Sequence, residues 1–164
     1  MTRELILLRH AEAMQIALGG SDRARPLSLR GEQEAREAGA WLRSQDAVPD
    51  VVLCSPARRA QMTVERALDA LFTHGAPSPI PKFVPEIYDA TPGALITVLE
   101  QHAASSRQML MVGHNPGMEQ LLALLVSGRS PDARGVPPAG MAWIELQESG
   151  FEPGSARLRA FWSP

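Results

Sequence analysis

The chain has 164 residues, 45% of them hydrophobic and 21% charged, with a formal net charge of -2. That length suits one domain around one core. The nearly neutral balance lacks the basic footprint of a nucleic-acid binder or a polybasic membrane patch, so neither partner is expected. A single cysteine, Cys54, excludes an intrachain disulfide and fits a reducing compartment. The opening "MTRELILLRH" turns charged again by residue 9, unlike a signal segment. No apolar run approaches the roughly 20 residues that span a bilayer, so the expected location is the cytoplasm.

The first element is a strand over about Glu4 to Leu8, whose unbroken apolar run fits burial on both faces of a parallel sheet. A polar loop with Gly19, Gly20 and "SDRARPLS" follows. Ser28 then caps a helix running to about Ser44, with Ala35, Ala38 and Leu42 at helical spacing. "DVVLCS" reads as a second strand, and Ala57 to Thr73 as a helix with an apolar stripe at Ala60, Val64, Ala67, Leu68 and Leu71. Four prolines in residues 75 to 85 make that stretch a loop, with at most a short strand near Phe83. Thr91 and Pro92 form an N-cap and first helical position, and Leu95, Val98, Leu99 and His102 share one face of the helix that follows. "QMLMVGH" is a third buried strand. "NPG" turns the chain into a helix with Leu121, Leu122 and Leu125, and residues 130 to 140 are a loop. "MAWIELQ" and "ARLRAFW" read as two antiparallel strands at the end of the sheet. The expected fold is α/β: a three-layer sandwich with a mostly parallel central sheet flanked by helices and antiparallel strands near the C-terminus.

Such sheets bind ligands at the carboxyl ends of their strands. Arg9-His10, Ser55 to Arg59 and Gly113-His114 all lie just past predicted strand ends, so they are expected to meet on one edge. His74 and His102 have no such context and read as structural or surface residues. The two strand-end histidines lack a carboxylate or cysteine at ligand spacing, and the adjacent cations oppose a metal, so no metal or other cofactor is expected. A cluster of arginines suits phosphate, whose oxygens accept bidentate contacts. Nearby positive charge keeps a histidine neutral and hence nucleophilic. These parts allow phosphoryl transfer to a histidine, with arginines neutralising the oxygens.

"LLRHAEA", "RPLSLRG", "SPARRAQMT" and "VGHNPG", in this order and spacing, resemble the motifs of the histidine phosphatase, or phosphoglycerate-mutase-like, superfamily. The likeness runs over nearly the whole chain, implying one histidine phosphatase domain over 1–164. So short a chain leaves little room for a helical cap insertion, and with "RPLS", "PPAGMAW" and "GHNPG" it resembles the SixA-type phosphohistidine phosphatases. The resemblance implies that His10 is the nucleophile, that Arg9 and Arg59 hold the phosphoryl oxygens, and that His114 stabilises the transition state. The motif places the second arginine at Arg59 rather than Arg58. Arg25 is expected to contact phosphate or substrate, and Asn115 to line the rim or form the turn before Pro116. The implied partner is a phosphohistidine-bearing protein, such as a histidine phosphotransfer domain, or a small phosphorylated substrate.

Two departures bear on these expectations. Residue 11 is Ala where the superfamily has Gly, and alanine resists a positive φ. The superfamily's general acid, a mid-chain glutamate, has only Glu86 and Asp89 as counterparts, neither cleanly aligned; a solvated loop carboxylate is the competing reading. A phosphohistidine substrate needs less proton donation than a sugar phosphate, because imidazole is the better leaving group. The alternatives are a small-molecule phosphomonoesterase of the same superfamily and a module that binds a phosphorylated partner without hydrolysis. A cysteine-dependent phosphatase needs an arginine six positions after Cys54, where Ala60 stands.

Overall fold

The computed structural model describes residues 2–16, 19–73, 75–128, 135–148 and 150–164. Strands β1 (Arg3–Arg9), β2 (Val51–Cys54), β3 (Lys82–Phe83), β4 (Gln108–Gly113), β5 (Met141–Leu146) and β6 (Arg157–Trp162) form one sheet in the order β3-β2-β4-β1-β5-β6. The first four run parallel, and β5 and β6 join antiparallel at the β1 side.

Helices α1 (Leu29–Ser44) and α2 (Arg58–Leu71) cover one face, and α3 (Pro92–Ala103) and α4 (Gly117–Ser127) the other. The alternation of β1 shows why its apolar run is unbroken. Leu5 and Leu7 pack with Leu95, Leu99 and Leu121, while Ile6 and Leu8 pack with Ala38, Leu42 and Val64. The helix starts follow the expected capping: Ser28 Oγ accepts from Gly31 N at 3.0 Å, and Thr91 Oγ1 accepts from Ala94 N at 3.2 Å. The stripe of α2, from Ala60 to Leu71, is buried. Its contact with α1 is close enough that a Cβ on Gly39 would lie 2.1 Å from the carbonyl oxygen of Ala67.

Strand order was not part of the sequence reading. It puts β1 and β4 side by side at the centre although about a hundred residues separate them. No helix among the described residues is long and apolar enough to cross a membrane.

Candidate active site

Strand register assembles the site. Arg9 pairs with Gly113, and His10 N donates to Gly113 O at 3.0 Å, so His10 and His114 leave adjacent parallel strands at one level. Their ring centroids are 5.1 Å apart. On the other side of β4, Ser55 N donates to Val112 O at 3.1 Å. Ser55 Oγ lies 2.7 Å from His114 Nε2 and accepts from Ala57 N, which joins the end of β2 to the start of α2. The next turn brings in Arg59, 6% exposed, while Arg58 faces solvent. Thr63 closes the corner: its Oγ1 accepts from Ala11 N at 3.0 Å and donates to Arg59 O at 2.7 Å.

The histidines are prepared differently. His10 Nδ1 lies 2.7 Å from the carbonyl oxygen of Ala11. A carbonyl only accepts, so Nδ1 carries the proton and Nε2 keeps the lone pair. Burial first, and then the charges of Arg59, Arg9 and Arg25, push the His10 pKa down to about 4. Burial, with His10 and Arg59 beside it, pushes His114 down to about 3. Ser55 Oγ bridges Ala57 N and His114 Nε2, and a hydroxyl that donates to Nε2 leaves the ring proton on Nδ1. His114 Nδ1 and Arg9 Nε are buried and have no hydrogen-bond partner among the described residues. An unpaired guanidinium N–H and an unpaired ring nitrogen beside a neutral imidazole form a place for an oxyanion.

Each arginine is anchored from behind. Arg9 Nη1 donates to Val136 O at 2.9 Å. That carbonyl also accepts from Asn115 Nδ2, and Val136 N donates to Glu119 Oε2 at 3.2 Å. Arg59 donates through Nη1 to Asp22 O at 2.8 Å and through Nη2 to Asp22 Oδ2 at 3.0 Å. Arg25 donates through Nε to Met14 O at 2.7 Å and through Nη1 to Asp22 Oδ1 at 3.0 Å. The Tyr88 hydroxyl donates to Asp22 Oδ2, and its ring stands edge-on to His114, centroids 5.4 Å apart.

The structure thus gathers Arg9, His10, Arg59 and His114, and Arg25 close enough for its charge to act on His10. Asn115 is half-buried and donates through Nδ2 to Val136 O at 2.8 Å and to Glu119 Oε2 at 3.3 Å. Glu86 is exposed on a 3-10 turn, Pro85–Ile87, and its carboxylate has no partner among the described residues; Asp89 is exposed too. Ala11 stays outside the positive-φ region, so the backbone accepts alanine there. Cys54 is fully buried and burial pushes its thiol pKa up, away from a reactive thiolate. His102 lies part-buried on α3 with Nδ1 2.8 Å from Val98 O, and His74 lies outside the described residues. Asp22, Tyr88, Ser55, Thr63 and Glu119 carry parts of the site for which sequence reasoning gave no role. Ser55 and Thr63 stood inside a quoted motif; Asp22 and Tyr88 sit in loops with no periodic signal.

Among the described residues no three His, Cys, Asp or Glu side chains gather as a metal would require. The pocket offers arginine and imidazole donors to a tetrahedral oxyanion and a lone pair at His10 Nε2 to an electrophile. Fold and site together define an α/β phosphatase. The chain belongs to the histidine phosphatase superfamily, matching its branch 1 over residues 5–77. It is 32% identical over 166 residues to an uncharacterized protein of Mycobacterium tuberculosis, spanning 96% of this chain and 99% of that one. It is 29% identical over 147 residues to the phosphohistidine phosphatase SixA of Escherichia coli, spanning 90% and 88%. The structure of the protein histidine phosphatase SixA complexed with tungstate superposes with a TM-score of 0.82 at 27% identity, covering 98% of this chain and 97% of that one.

Proposed function

We propose that the protein hydrolyses phosphohistidine on a partner protein, such as a histidine phosphotransfer domain, through a phosphohistidine intermediate on His10 and without a metal. The observation that carries this is the tautomer of His10: Nδ1–H is held by Ala11 O, and Nε2 stays unprotonated among Arg9, Arg25, Arg59 and His114. Nε2 attacks phosphorus, and the phosphorus–nitrogen bond to the substrate imidazole breaks. That imidazole, protonated by solvent on its other nitrogen, leaves neutral. Water then attacks the phosphoenzyme, releasing phosphate and restoring His10. Arg9, Arg25 and Arg59 neutralise the phosphoryl oxygens, and His114 Nδ1–H donates to one of them as charge develops.

The choice of a phosphoramidate over an ester rests on proton supply. An alkoxide leaving group needs a proton donor beside it, and the pocket imidazoles are held neutral. Asp22 is the carboxylate bonded to the pocket arginines, and the Tyr88 hydroxyl, with Arg25 and Arg59, holds its pKa well below the usual carboxylate range. A residue so firmly ionised is a poor acid, and Glu86 lies exposed without a partner among the described residues. We further propose that the 164 residues act as one domain without a cap over the strand ends, an arrangement that suits a phosphorylated side chain displayed by another protein.

The test is phosphate release from a phosphohistidine-bearing carrier protein in EDTA, wild type beside His10→Ala. Release by wild type alone is expected. Turnover by the His10 variant would sink the histidine mechanism. Turnover of sugar phosphates faster than of the carrier would move the substrate to small phosphoesters.

A further inference from the structure

Asp22 lies in the "SDRARPLS" loop but outside the four motifs that carry the family resemblance, yet it bonds Arg25, Arg59 and Tyr88. Its side chain is 49% exposed, but its carboxylate reaches Arg25 in its own turn and two other segments of the pocket, at Arg59 and Tyr88. Oδ1 accepts from Arg25 at 3.0 Å, Oδ2 accepts from Arg59 at 3.0 Å and from the Tyr88 hydroxyl, and the backbone oxygen takes a second Arg59 bond at 2.8 Å. We propose that Asp22 is a positioning residue of the phosphoryl pocket, whose carboxylate holds Arg25 and Arg59 in the orientation that meets the phosphoryl oxygens. This rests on the reading that the pocket takes a phosphoryl group.

An arginine has five N–H donors in one rigid plane, so fixing two of them fixes the direction of the rest. Arg59 spends Nη1 and Nη2 hydrogens on Asp22, and Arg25 spends one on Asp22 and one on Met14 O. Both guanidinium groups therefore have defined planes before any ligand arrives. Tyr88 fixes the carboxylate in turn and stands edge-on to His114, so one acid links the arginines to the wall of the second histidine. The turn Asp22–Ala24 supplies no buried residue, which leaves the arrangement of charges as its contribution to the site.

The competing reading makes Asp22 a resident anion that substrate must displace, and the two readings differ in sign. Asp22→Asn removes a negative charge from a pocket that binds anions. If Asp22 only competes, tungstate binds the variant more tightly. If Asp22 positions, tungstate binds more weakly in spite of the favourable charge change, by about ten-fold or more for two misaligned charge-assisted contacts. Calorimetric titration of the whole protein with tungstate at fixed salt, for wild type, Asp22→Asn, Asp22→Glu and Tyr88→Phe, decides between them. A drop of kcat on the phosphohistidine carrier in Asp22→Asn, partly restored in Asp22→Glu, is expected with it.

Tyr88 is the chain's single tyrosine, so its ionisation is read directly by absorbance near 295 nm. The groups facing it are Asp22, Asp89, Arg23, Arg59 and His114. Its hydrogen bond to Asp22 raises its pKa, and Asp22→Asn should bring the titration back down while the melting temperature stays close to wild type. Tungstate binding to Asp22→Asn equal to or tighter than wild type overturns the positioning role and leaves the proposed function standing. Failure of wild type to bind tungstate at all overturns the phosphoryl pocket itself.

Discussion

At the scale of single residues, the site is a set of charges kept in check by burial. His10 sits at about 4 and His114 at about 3, both below the ordinary histidine value of 6.5. The active form of His10 is the unprotonated one. The acid limb of kcat/KM should therefore fall near pH 4 rather than near pH 6.5, with a flat profile through neutrality. The same shifts act on stability. Between pH 6.5 and 4 the unfolded chain binds protons that these buried rings refuse. Stability thus rises with pH across that window and is lost as pH falls through it, by up to about 1.4 kcal/mol per pH unit for each ring. Urea midpoints measured from pH 4 to 7 check the slope, and His114→Gln should flatten it. A slope unchanged by that substitution would mean that the ring is protonated in the folded state.

At the scale of elements, legibility followed regularity. The strand β1, the Ser28 and Thr91 caps and the stripe of α2 all stood in the sequence, because period and cap chemistry are local. Arg59 rather than Arg58 was legible from the motif, and the structure supplies the reason: the second residue of α2 points inward, toward Asp22, and the first faces solvent. Asp22 and Tyr88 were not legible, since their partners lie 37 and 66 residues away along the chain and loops carry no period. Strand order was equally hidden, because the pairing of β1 with β4 depends on contacts that no single window contains. Gly39 belongs here as well. Glycine is an unfavourable residue inside a helix, but here the close approach of α1 to Ala67 leaves no space for a Cβ. Gly39→Ala gains helix propensity yet should destabilise the protein by about 1–3 kcal/mol through overpacking against backbone. A lower melting temperature with tungstate affinity preserved is the expected pair of results; a rise in melting temperature would show that α1 and α2 separate freely.

At the scale of the whole molecule, the pocket is a junction. Its cations come from the end of β1, the loop before α1 and the first turn of α2, the end of β4 adds the neutral His114, and Val136 backs it from the loop before β5. The strands and helices are held by apolar packing in two clusters on opposite faces of the sheet, and Ala11, Leu27, Met62 and Ala139 join the loops in a third. Without an anion, these segments bring like charges together, and burial already lowers the pKa of Arg9. An oxyanion relieves that repulsion only when all the segments are in their folded places. Binding should therefore stabilise the entire fold rather than one loop. At a tungstate concentration one hundred times its dissociation constant the gain is about 2.7 kcal/mol, which for a chain of this size raises the melting temperature by roughly 5–10 °C. Arg59→Ala removes a buried cation and its two bonds to Asp22, so its ligand-free melting temperature and its response to tungstate should diverge. The response should vanish even where the free protein melts close to wild type. If tungstate stabilised Arg59→Ala as much as wild type, the anion would be binding somewhere other than the junction of these strand ends.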